Sequence, residues 1–144
     1  MLILRCSSSA QSIHELVRLG GGSGSLLFLH PKAAKTAKEL EFSFHLARGS
    51  FREKSNVSKK IANEAMLFLA CETNFSSAAK KVGAMETGDF VLVSEKNIPL
   101  AKLKKELLLT KAKVLKLPEW GKKKGHYYEG EVAVERMALS RIRN

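Results

Sequence analysis

The sequence predicts one globular domain in which helices and short strands are built around a single core. Three observations predict it. The chain has 144 residues and 44% hydrophobic content, which suits one core rather than two. Apolar residues recur at helical spacing through residues 57–83. Short continuous apolar runs at residues 26–29 and 90–93 read as buried strands.

Residues 57–83 are the centre of the chain. Val57, Ile61, Ala65, Phe68 and Leu69 line one face of a helix, and Met66, Leu67 and Ala70 add apolar groups off that face, so more than one side is covered. Glu72, Thr73 and Asn74 break the pattern, and Thr73 or Asn74 caps a second helix. That helix buries Phe75, Ala78, Ala79 and Val82, and Gly83 suits a left-handed position past its end.

The remaining elements follow in order. Residues 1–5 read as a strand, and Arg5 interrupts its apolar run too early for a signal peptide. Ile13, Leu16 and Val17 mark a short amphipathic helix over residues 12–19, and residues 20–25 are a glycine-rich loop without a complete phosphate-binding motif. Pro31 opens a long helix whose inner face is Ala33, Ala37, Leu40, Phe44 and Ala47. A polar connection follows, and Ser55 or Asn56 caps the central helix. Asn97 and Pro99 begin a helix with Leu100, Leu103, Leu107 and Leu108 on one face. Residues 113–117 form an edge strand that Pro118 ends. Residues 129–143 form a last helix, where Val132, Ala133, Val134, Met137, Ala138, Leu139 and Ile142 exceed the single stripe needed for docking on the domain. The excess either meets another protein or is buried on two sides of the core.

The formal charge is +11 and the sequence pI about 9.8, a balance that favours an anionic partner, nucleic acid above all, or else serves solubility. Residues 101–125 hold nine bases and two acids. Lys59 and Lys60 fall in the first turn of the central helix, which costs from a few tenths to about 1 kcal/mol against the helix dipole. There they form a positive field beside free backbone donors, suited to phosphate, or are simply solvated. Lys122, Lys123 and Lys124 lie between Trp120 and the pair Tyr127 and Tyr128, a composition that fits unpaired bases and phosphates; packing of the three rings on the core is the favoured alternative.

The four histidines are scattered, and Cys6 and Cys71 form no CxxC, so no metal, cofactor or catalytic signature is present. Cysteines of this kind suit reduced, intracellular, cytoplasmic conditions. No run approaches the roughly 20 apolar residues of a membrane span. An enzyme built on His45 or Cys71 lacks any visible accompanying group.

Ile61, Glu64-Ala65, Leu67-Phe68-Leu69-Ala70, the polar turn, Phe75, Ala78-Ala79, Gly83 and the apolar run at 90–93 together resemble the small kinase-binding subunit of the KEOPS complex, the family that includes the PRPK-binding protein. Glu135-Arg136-Met137-Ala138-Leu139 is similar to that family's last helix. The family's central turn often carries glycine and arginine, where this chain has Ala70-Cys71-Glu72-Thr73-Asn74. The resemblance implies a mixed α/β domain, a small antiparallel or mixed sheet flanked by several helices. It implies a non-catalytic subunit without a cofactor that docks on the N-lobe of the complex's small atypical kinase. That complex places the threonylcarbamoyl group on tRNA adenosine beside the anticodon. In archaea the subunit is also expected to grip the single-stranded 3′ CCA end of tRNA. On this reading Val134, Met137, Ala138, Arg141 and Ile142 meet the kinase, and Arg52, Lys54, Lys59, Lys60, Lys122, Lys123 and Lys124 meet tRNA. Met137→Glu is then expected to abolish docking in a domain that stays folded. A stand-alone RNA-binding domain is the alternative.

Overall fold

The computed structural model describes residues 1–20 and 24–143, so the middle of the glycine-rich loop lies outside the described residues. The elements run β1 (Leu2–Ser8), α1 (Ile13–Leu19), β2 (Leu26–Leu29), a 3-10 turn (Pro31–Ala33), α2 (Ala37–Arg52), α3 (Ile61–Ala70), α4 (Phe75–Val82), β3 (Phe90–Ser94), α5 (Leu100–Glu106), β4 (Leu109–Val114), a hairpin of β5 (Lys123–Lys124) and β6 (Tyr127–Tyr128), and α6 (Glu129–Arg143). The main sheet has the order β2-β3-β1-β4, and every pairing is antiparallel. This is a mixed α/β architecture with helices on both faces of the sheet.

The alternation of strand side chains splits the core in two. Leu27, Leu29, Val91 and Val93 face α2, α3, α4 and α6 with Leu40, Phe44, Leu67, Phe68, Ala78 and Met137. Leu4, Cys6, Phe28, Phe90 and Leu92 face α1 and α5 with Leu16, Leu103 and Leu107. β3 is buried along its whole length, which explains its unbroken apolar sequence.

Several boundaries differ from the sequence reading. Pro31 does not open the long helix. It starts a separate turn capped by His30, and α2 begins where the Thr36 hydroxyl accepts the Glu39 N–H while donating to the Glu39 carboxylate. α2 continues to Arg52, through part of the expected connection. β4 lies at Leu109–Val114, ahead of the expected 113–117, and is one of the two edge strands. Phe75 is exposed rather than buried.

Gly83 is extended, not left-handed; Cys71, at the end of α3, takes the left-handed conformation. Gly83 is needed for a different reason. A Cβ there would stand 2.6 Å from the Ala79 carbonyl oxygen. Gly83→Ala is therefore expected to cost about 1–3 kcal/mol, read as a lower urea midpoint; an unchanged midpoint would show that α4 yields freely.

Candidate interaction surfaces

α6 presents two unlike faces. Met137 is 1% exposed and belongs to the core, and Ser140 and Gly130 are buried on the same side. Ala138, Leu139 and Ile142 point outward, Leu139 at 40% and Ile142 at 78% exposure. Val134 is half-buried against the core. Of the five residues expected to meet a partner, Ala138 and Ile142 are thus on the outer face, joined by Leu139.

Two of the five are corrected. The Met137 side chain is enclosed by its own domain and presents no free surface. Arg141 turns inward: Nη1 donates to Glu64 Oε2 at 3.3 Å, Nη2 lies 3.2 Å from Oε1, and the guanidinium sits 4.2 Å from the centre of the Phe68 ring.

Glu64 is a buried structural residue of α3. Its buried carboxylate accepts from Ser50 Oγ at 2.6 Å and from the backbone N–H groups of Val57 and Ser58, as well as from Arg141. It joins α2, the segment before α3, and α6. Burial alone would push its pKa up, but the hydrogen bonds from Ser50, Arg141 and Ser58 outweigh burial and hold it below the ordinary carboxylate value. The available signal was an acid placed between Ile61 and Phe68 on an otherwise apolar stripe.

The expected cap is corrected by where α3 starts. Neither Ser55 nor Asn56 caps α3. Lys60 is its N-cap residue and makes no side-chain cap bond. Lys59 and Lys60 therefore precede the first turn. The Ala62 N–H is already given to the Gly24 carbonyl at 2.7 Å. Lys59 and Lys60 remain exposed, as do Arg52 and Lys54 at the far end of α2, where cations suit the helix dipole. Arg52 shares a hollow of about 530 Å³ with Arg141, His45 and Phe68.

Lys122, Lys123 and Lys124 are exposed on the β5-β6 hairpin. Lys124 pairs with Glu129 at 2.9 Å and lines a groove of about 720 Å³ with Lys35, Lys81 and Arg136. That places it apart from the hollow that Arg52 lines. Trp120 is half-buried under Lys38, whose Nζ is 5.9 Å from the ring centre. Tyr127 and Tyr128 are exposed, so the packing favoured for them from the sequence does not occur.

Among the described residues no cluster of histidine, cysteine and acidic groups could hold a metal, and no helix is long and apolar enough to cross a membrane. Burial pushes the Cys6 thiol up to about 12 and raises that of Cys71, the opposite of an activated nucleophile. In comparisons with known proteins, no family model and no curated relative matches this chain.

Proposed function

We propose that this protein is a non-catalytic accessory subunit of a KEOPS-type tRNA-modification complex, docking on the small atypical kinase and helping to recruit tRNA through its 3′ CCA end. The observation that carries the reading is the outward apolar stripe of Ala138, Leu139 and Ile142 on α6. Together with the likeness of residues 61–83 and 135–139 to that family, it supports a helix that binds by apolar burial. The exposed bases Arg52, Lys54, Lys59, Lys60 and Lys122–Lys124 support the tRNA role.

Co-purification with the kinase subunit tests the docking face. Leu139→Glu with Ile142→Glu is expected to weaken binding about 100-fold, since burying each side chain is worth roughly 1.5–3 kcal/mol. Unchanged binding would remove α6 from the interface. Lys59→Glu with Lys60→Glu is expected to weaken tRNA binding and reduce its salt dependence. A protein that binds tRNA but stays monomeric on gel filtration with the kinase present would instead be a stand-alone RNA-binding domain.

A further inference from the structure

The two edges of the main sheet are treated differently. The β2 edge is covered at its C-terminal end: Leu29 bridges Gly83, the His30 N–H donates to Val82 O at 2.9 Å, and the Ala84 N–H donates to Phe28 O. The β4 edge has no such cover. Lys113 stands opposite Arg5 and Lys111 opposite Ser7, and the Leu115 N–H donates to Ile3 O at 2.9 Å. In an antiparallel ladder the residues in phase with Leu115 turn their backbone groups toward β1, and the alternate residues turn theirs away. Ala112 and Val114 are those alternate residues. Among the described residues nothing on the outer side meets their N–H and C=O groups.

The side chains along this edge have a definite character. Lys111 and Lys113 are exposed on one face of the strand, and neither has a carboxylate partner among the described residues; Arg5, across from Lys113, is already held by Asp89 at 2.8 Å. On the other face Val114 is 57% exposed and Ala112 packs against the core. Lys116 continues the positive charge beyond the strand.

We propose that the outer edge of β4 is a docking site for an extended segment of a partner protein in which acidic and apolar residues alternate, added to the sheet as a fifth strand. The backbone of Ala112 and Val114 supplies the ladder. The segment's acids face Lys111 and Lys113, and its apolar side chains lie beside Ala112 and Val114. Lysines on an edge discourage pairing with ordinary strands, but toward an acidic strand they attract. A second copy of this chain is disfavoured, because its own lysines would stand beside these. Nucleic acid fits less well, because its phosphates would meet the outward carbonyl oxygens between the N–H donors. The site is separate from the α6 face and does not depend on the kinase reading.

The test is fluorescence anisotropy on the whole protein with a labelled, end-capped peptide of alternating glutamate and valine. Saturable binding is expected, weakened about tenfold or more by Lys111→Glu with Lys113→Glu and likewise by Val114→Pro, which removes an outward N–H without touching the β1 ladder. A peptide of the same composition with its glutamates in one block is expected to bind at least about tenfold more weakly. No saturation by about 1 mM, equal binding of the block peptide, or undiminished binding to Val114→Pro would overturn the proposal. So would a wild-type dimer in sedimentation velocity that Val114→Pro abolishes, or single-stranded RNA binding that is lost in the same variant. Should Val114→Pro fail to fold, hydrogen exchange on the wild type decides: the Ala112 and Val114 amides must slow when peptide is added, and unchanged exchange overturns it.

Discussion

Glu64→Ala is expected to destabilise the domain by about 3–5 kcal/mol, the usual cost of removing one partner from a buried charge pair. For a chain of this size that is a fall of roughly 10–17 °C in melting temperature. The loss has several sources. Arg141 would keep a buried guanidinium without its counter-charge, Ser50 Oγ would lose a 2.6 Å acceptor, and the Val57 and Ser58 N–H groups would lose theirs. Arg141→Met is expected to cost less, because Glu64 would retain Ser50 and the two backbone donors and the unbranched apolar methionine chain would still cover part of Phe68. The order of the two variants in urea melts is the informative quantity. A Glu64→Ala variant within about 1 kcal/mol of wild type, or one milder than Arg141→Met, would show that the carboxylate is better hydrated than its contacts indicate.

The same group sets an acid limb. Its folded pKa lies below the ordinary carboxylate value that it regains on unfolding. The unfolded chain therefore binds the proton first as pH falls, so the stabilisation is complete above the ordinary carboxylate range and is lost as pH drops through the folded pKa. Wild type is expected to lose stability more steeply than Glu64→Ala does as pH falls below the ordinary carboxylate range. Parallel pH profiles for the two proteins would assign the acid limb to other carboxylates.

What could be read from the sequence, and what could not, follows from how far each signal reaches. The apolar runs of β2 and β3 and the helical periods of α3, α4 and α6 are local and strong, and α6 begins and ends where its pattern does. Pro31 and Thr36 are both admissible openings for α2 in the sequence, and the Thr36 hydroxyl, which accepts the Glu39 N–H, decides between them. Ser55 and Asn56 do not cap α3 because the helix begins only at Ile61; the Val57 and Ser58 N–H groups in between go to the Glu64 carboxylate, a contact that exists only once the chain has turned back on itself. The basic residues were visible as composition, but their division between the Arg52 hollow and the Lys124 groove is a matter of tertiary placement. The open edge of β4 depends on strand order, which no local pattern encodes.

The hardest matter for sequence was which way α6 faces, and Met137→Glu is the variant in which that question has the largest consequence. Residues 137 and 142 are five apart, so at 3.6 residues per turn they lie about 140° apart around the helix. Both are large and apolar, and periodicity alone cannot say which is inside. In the folded domain Met137 contributes to the cluster that contains Leu40, Phe44, Leu67 and Phe68. Truncating such a side chain to alanine typically costs 2–5 kcal/mol, and a glutamate there must also bury a charge or take up a proton. Met137→Glu is accordingly expected to lose most of the domain's stability, given that small domains hold only about 5–15 kcal/mol in total. Ile142→Glu, at a position 78% exposed, is expected to stay within about 0.5 kcal/mol of wild type. Loss of kinase binding in Met137→Glu would thus report unfolding, whereas loss in Ile142→Glu would report the contact itself. A cooperative melt for Met137→Glu near that of wild type, with Ile142→Glu unfolded, would mean that α6 is rotated by half a turn from the arrangement described, and would put Met137 back among the residues able to meet a partner.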